Sequence, residues 1–143
     1  MVSQKDFKLI EFRIIELFKS VTLEPFKSKE TIQHYLIYLL KNITYPCELT
    51  GIEDFDWEEF YLLGPGSKYE YEKLKKTNPS YKDKFELISL DKKFDEWKGI
   101  IANVVRKSDK QKFKIPLAEL VTIDKNSKNY TLLDDYSVWF VNY

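Results

Sequence analysis

Between Gln4 and Val21 the apolar positions Phe7, Ile10, Ile14, Leu17 and Val21 recur at intervals of three and four, with Leu9, Phe12 and Phe18 widening the stripe. That spacing predicts an amphipathic helix. Glu24-Pro25 ends it, because proline disfavours helical geometry in the residue before it. Ser28 then offers an N-cap for a second helix, with Glu30 in its first turn. Ile32, Tyr35, Leu36, Leu39, Leu40 and Ile43 carry the same spacing, and the helix is expected to run to about Asn42. Each helix has one face to bury against the rest of the chain.

After Tyr45-Pro46 the pattern changes to short runs rich in β-branched and aromatic residues, divided by turn formers. Strands are expected near 46–52, 57–63, 84–90, 97–107 and 112–116. Gly64-Pro65-Gly66 interrupts this series, and the polar stretch after it, closed by Asn78-Pro79-Ser80, reads as a long loop with room for one short helix. Ser108-Asp109-Lys110-Gln111 reads as a hairpin connection. Pro116 cannot donate to a ladder and so ends a strand, and Leu117-Ala118-Glu119-Leu120 fits a single helical turn before a last strand. Leu132, Leu133, Tyr136, Trp139, Phe140 and Tyr143 return to helical spacing, with Thr131 and Asp134 placed as a capping box. The expected architecture is α+β: a small, partly open, SH3-like five-stranded β-barrel with N-terminal helices and a C-terminal helix. The chain's 143 residues suit one domain, divided into a helical part over 1–43, a barrel over 44–124 and a closing helix over 130–143.

Charge narrows the partners. Lysine plus arginine and aspartate plus glutamate each total 23, so any electrostatic function is local. Arg13 and Arg106 are the only arginines, few for a protein that reads base edges or clamps phosphates. The lysines of 68–84 interleave with Tyr69, Tyr71 and Tyr81, but Glu70, Glu72 and Asp83 oppose a nucleic-acid reading there. The single cysteine, Cys47, excludes an internal disulfide and a cysteine-rich zinc site. The opening residues hold no uninterrupted apolar run, so neither a signal peptide nor a membrane span is expected. The expected setting is cytoplasmic.

Enzymatic chemistry finds little support. His34 lies mid-helix with no nucleophile beside it in the sequence. Cys47 follows a proline in an apolar run and reads as core, and Gly64-Pro65-Gly66-Ser67 lacks the spacing of a phosphate cradle. Carboxylates say more. Calcium takes about six to eight oxygen ligands, which proteins supply from closely spaced acidic side chains, backbone carbonyls and water. Two stretches offer such oxygens: 51–59, with Glu53, Asp54, Asp56, Glu58 and Glu59, and 90–97, with Asp91, Asp95 and Glu96. Neither has the spacing of an EF-hand. Lys92 and Lys93 interrupt the second and must turn outwards if it holds an ion.

The ordered set HYLIYLLKNITYPCEL, FELISLDKKFDEW, FKIPLAELVTID and LLDDYSVWFVNY, spanning roughly 34–143, resembles the small bacterial calcium-binding proteins of the CcbP type. In that resemblance Tyr45-Pro46 matches a strand start, and Ile115-Pro116-Leu117 with Leu120 matches a strand end. Asp91, Asp95 and Glu96 match the acidic loop, and Asp134 and Asp135 match the acidic C-terminal segment. The resemblance implies calcium as the ligand. The expected function is therefore non-enzymatic calcium binding, for buffering or sensing, with metal ligands Asp91, Asp95 and Glu96 helped by Asp54, Asp56 and Glu58. The competing reading is a metal-free protein-interaction module, such as an immunity or adaptor protein. Its contact surface would draw on a 16% aromatic content that includes Trp57, Trp97 and Trp139. The expected partners are a calcium ion and, in the second reading, a protein; nucleic acid and membrane are not among them.

Overall fold

A computed structural model describes residues 4–143, with side chains from Phe7 onwards; residues 1–3 of the helical part expected over 1–43 lie outside the described residues. The elements follow in the order α1 (Gln4–Phe18), α2 (Lys29–Asn42), β1 (Glu48–Gly51), α3 (Asp56–Leu62), α4 (Lys68–Leu74), β2 (Phe85–Leu90), β3 (Ile101–Arg106), β4 (Lys112–Pro116), a 3-10 turn (Leu117–Glu119), β5 (Leu120–Thr122) and α5 (Lys128–Asn142). Among the described residues, no helix is long and apolar enough to cross a membrane.

α1 buries Ile10, Ile14 and Phe18, three positions of the predicted stripe. It stops at Phe18 rather than Val21 because the amides of Val21 and Thr22 both turn back to the Phe18 carbonyl. α2 begins where the sequence places it: the Ser28 hydroxyl accepts from Thr31 N at 3.1 Å and the Thr31 hydroxyl accepts from Ser28 N at 2.8 Å. This reciprocal cap satisfies two amides that the first turn leaves unpaired. α5 is capped by Ser127, whose hydroxyl accepts from Asn129 N, four residues ahead of the Thr131 cap expected from the Thr131–Asp134 box. Tyr35 of α2 packs on Tyr136 and Trp139 of α5, each with ring centroids 5.1 Å apart, and Phe18 of α1 lies 5.3 Å from Trp139. These rings join the three helices to one core that continues into Leu49, Phe85, Leu87, Ala102 and Val104 of the sheet.

The five strands form one antiparallel sheet in the order β4-β3-β2-β1-β5. It is open, and the closed side of the expected SH3-like barrel is missing. β5 has three residues, all paired with β1, and β4 keeps its outer edge in water with Lys112 and Lys114 exposed, the kind of charge that blunts an edge against further pairing. The strand expected at 57–63 is instead the helix α3. Two of its aromatic residues pack along one helical face: Trp57 meets Tyr61 one turn on, at 6.1 Å, and both rings meet Tyr71 of α4, at 5.6 and 5.9 Å. α4 is the short helix for which the 64–83 loop left room. Gly51, at the end of β1, admits the backbone of Tyr81 so closely that a Cβ there would fall 2.6 Å from the Tyr81 Cα. This contact pins the acidic 52–59 segment beside the sheet.

Candidate metal centre

The three carboxylates of the 91–96 loop go to three separate partners. Asp91 accepts from Lys114 Nζ at 2.9 and 3.0 Å and from Asn103 Nδ2 at 2.8 Å. The lysine first, then the asparagine, hold its carboxyl below the ordinary range. Asp95 Oδ1 accepts from Trp97 N at 2.7 Å and Lys98 N at 2.8 Å, and those two amides, Lys98 foremost, lower its pKa as well. Glu96 pairs with Lys29 of α2 at 2.8 Å. The loop is thus closed by its own aspartate. Gly99, at φ +75°, then carries the chain under α5, where Ile100 N donates to the Tyr136 hydroxyl at 2.9 Å.

Glu58 is fully buried. Its Oε1 accepts from Phe55 N at 3.2 Å and Tyr81 N at 2.8 Å, and its Oε2 from the Tyr71 hydroxyl at 2.6 Å and the Ser80 hydroxyl at 2.8 Å. Four donors meet a carboxylate that has no cation among these partners, and burial without them would be prohibitive. The residue ties α3 to α4 and to the 79–81 turn, and none of its oxygens is turned to the cavity described next.

Asp54 and Asp56 lie elsewhere. With Glu53 and Glu59 they form one wall of a cavity of about 590 Å³, and Glu119 from the 3-10 turn and Asp134 from α5 form the other. Among the described residues Lys98 is the one basic residue in the lining, and Trp97 and Phe140 are its aromatic members. Asp54 Oδ2 and Ser137 Oγ, both lining atoms' residues, are buried without a hydrogen-bond partner. Burial raises the pKa of Glu119, and the charges of Asp56 and Glu53 raise it further while Lys98 opposes them. Burial, then the neighbouring Asp135, raises that of Asp134. Removing water and gathering like charges both disfavour the ionised form, and a bound cation reverses both effects. Among the described residues, no three carboxylate, imidazole or thiolate groups stand close enough together to hold one ion without help. The remaining coordination has to come from water and backbone carbonyls, which calcium accepts.

Of the six side chains the sequence nominates as ligands, the fold therefore brings Asp54 and Asp56 into the acidic cavity. It leaves Asp91, Asp95 and Glu96 on separate partners and Glu58 inside a structural network. Glu119 and Ser137 escape a reading by proximity along the chain, since 63 residues separate Asp56 from Glu119. Asp134 was visible only as part of the acidic C-terminal segment. Asp135, its neighbour, faces the other way and is held by Arg13 through two bonds, of 2.7 and 2.9 Å.

The remaining candidates are structural. His34 Nε2 bonds the Leu17 carbonyl at 2.8 Å, and Cys47 is a buried thiol whose pKa burial pushes up to about 11.

The family model of the CcbP proteins, described as calcium binding, matches residues 67–140, a span that includes Glu119, Asp134 and Ser137 but not the 53–59 wall. No curated protein sequence matches the chain. Among solved structures, the chain is similar to the crystal structure of Anabaena CcbP, with a TM-score of 0.59 and 13% identity over 99% of this chain and 95% of that one. The structural likeness carries the α+β fold, and the family model, which covers more than half of the residues, carries the kinship. The chain belongs to the CcbP family of calcium-binding proteins.

Proposed function

We propose that this protein binds calcium in the acidic cavity between the 53–59 segment, the 3-10 turn and α5, and acts as a calcium buffer in the cytosol. The observation that carries the reading is the pair of buried oxygens without partners, Asp54 Oδ2 and Ser137 Oγ, in a cavity lined by five further carboxylates. Buried polar atoms are almost always satisfied, so two orphans beside concentrated negative charge support a cation with its water as the absent partner. Asp54 and Asp56 are the proposed ligands from the first wall, Glu119 and Asp134 from the second. Asp91, Asp95 and Glu96 serve the loop instead, and Glu58 holds the first wall in place.

Buffering fits better than sensing. A sensor needs an element with two arrangements that the ion biases, whereas one wall here is anchored by Glu58 and the other belongs to α5, whose opposite face is core.

Calorimetry of calcium into chelator-treated protein tests the proposal. A saturable heat that the Asp54→Asn, Asp134→Asn double variant weakens by about tenfold or more supports it, since each change removes a ligand and a charge. A calcium heat that survives in this variant and disappears in Asp95→Asn would return the site to the 91–96 loop.

A further inference from the structure

We propose that the same cavity also takes an organic polycation, a chain of two or more ammonium groups joined by aliphatic linkers. The proposal shares the cavity with the calcium reading but does not depend on calcium occupying it. Its first ground is spacing. The carboxylates line one cavity but stand apart, no three of them close enough to hold one ion without help, so charges spread along a flexible chain can meet several of them at once. The second ground is the lining itself. Trp97, 89% exposed, and Val141, 72% exposed, stand at the rim, an apolar surface that a hydrated metal ion does not use and that methylene linkers do. The third is an aromatic ring: Phe140 lines the cavity and already draws an ammonium, Lys27 Nζ lying 4.6 Å from its centre, the arrangement in which an aromatic face attracts a cation. Ser137 Oγ, on a residue only 6% exposed, is an unpaired hydroxyl in the lining that can accept from an ammonium N–H. The volume, about 590 Å³, lies in the range of small-molecule sites.

Spermidine is the probe, with n-butylamine as its single-charge counterpart and sodium chloride matching the ionic strength. Calorimetry should show saturable spermidine binding tighter than butylamine by at least about tenfold, since the second ammonium binds at high effective concentration. The Asp56→Asn, Glu59→Gln double variant, altered at two exposed positions that leave the core untouched, should weaken spermidine by about tenfold; Trp97→Ser should weaken it with no change of charge. Spermidine binding no tighter than butylamine, or indifferent to both variants, overturns the proposal. Calcium titrated in parallel keeps the two readings apart. Calcium binding without spermidine binding overturns this inference alone, and spermidine binding without calcium binding upholds it and overturns the calcium reading.

Discussion

Trp139 donates its indole N–H to the Pro25 carbonyl at 2.7 Å, joining residues 114 apart in the chain. The indole is fully buried between Phe18, Tyr35, Tyr136 and Phe140, so α5 and the linker between α1 and α2 are fixed by one side chain. Trp139→Ala should cost about 3–5 kcal/mol, the usual range for removing a buried large aromatic, while Trp139→Phe keeps most of the packing and leaves the Pro25 carbonyl unpaired, costing about 1–3 kcal/mol. Urea denaturation midpoints measure both. An unchanged midpoint in Trp139→Ala would mean that the helices are not held through this residue.

Arg106 supports the 75–83 connection. Its guanidinium donates to the carbonyls of Lys75, Lys76 and Asn78 and to the carboxylates of Asp83 and Asp109, six bonds in all. The guanidinium has five N–H donors, one of them shared at Nη1, and a lysine has three, so Arg106→Lys loses at least two donors; at about 0.5–1.5 kcal/mol each, the expected cost is about 1–3 kcal/mol. The guanidinium holds the Asp109 carboxyl far below its ordinary range. A depressed folded-state pKa contributes stability that is present above the unfolded value and is lost as pH falls through the folded one. The gap between wild type and Arg106→Lys should therefore be full at neutral pH and narrow in strong acid. Melting curves from pH 7 downwards check this, and a gap that widens on acidification contradicts it.

Glu119 sits on the opposite side of the same ledger. Its pKa is raised by burial and by Asp56 and Glu53, so ionising it opposes folding. The sign follows from linkage: a raised folded-state value means stability that is present below the unfolded pKa, about 4.3, and is lost as pH rises through the folded one. Glu119→Gln should accordingly melt higher than wild type at pH 7 without calcium, with the advantage vanishing in acid. If Glu119 is a ligand, the same substitution also shrinks the rise in melting temperature that calcium brings. A variant that melts lower at pH 7 would show that the carboxylate is held by favourable contacts.

Glu58 separates fixed donors from adaptable ones. The amides of Phe55 and Tyr81 meet Oε1 and cannot turn, whereas the hydroxyls of Tyr71 and Ser80 meet Oε2 and can rotate to accept. Glu58→Gln, with its carbonyl towards the amides and its NH2 towards the hydroxyls, should cost about 1–2 kcal/mol. Glu58→Ala orphans all four donors and should cost more than twice as much. Equal losses by chemical denaturation would mean that charge, not donor geometry, holds the network.

The parts of the fold legible in the sequence are those whose cause is local. Ser28 caps α2 because its partner is three residues away, and Ser108 to Gln111 reads as a turn because it is a polar stretch between two strand-like runs, where Lys110 takes φ +64°. α3 was illegible because its aromatic run suits a strand as well as a helix; the choice is made by Tyr71 and Ser80, which reward the helical placement of Trp57 and Glu58 from outside the segment. The partly open barrel expected from five strands is an open sheet here, since strand count alone does not say whether the edges meet. Asp54 and Asp56 stand out in the sequence because charge crowding is visible along the chain, while Glu119 and Ser137 join them in the cavity only through tertiary packing. Acidic content does not reveal where the carboxylates of the 91–96 loop point; in the fold Lys114, Lys29 and two backbone amides take them.

The three tryptophans occupy very different surroundings. Trp139 is sealed in the core, Trp57 is tethered to the Pro79 carbonyl at 2.6 Å, and Trp97 stands 89% exposed at the rim of the acidic cavity. The red edge of the intrinsic fluorescence therefore belongs to Trp97, and so does the fraction that a collisional quencher such as acrylamide reaches first. The molecule carries an unlabelled optical reporter at the mouth of its own cavity: an occupant that covers the indole should blue-shift that component and shield it from quenching, while the emission of the other two stays as it was.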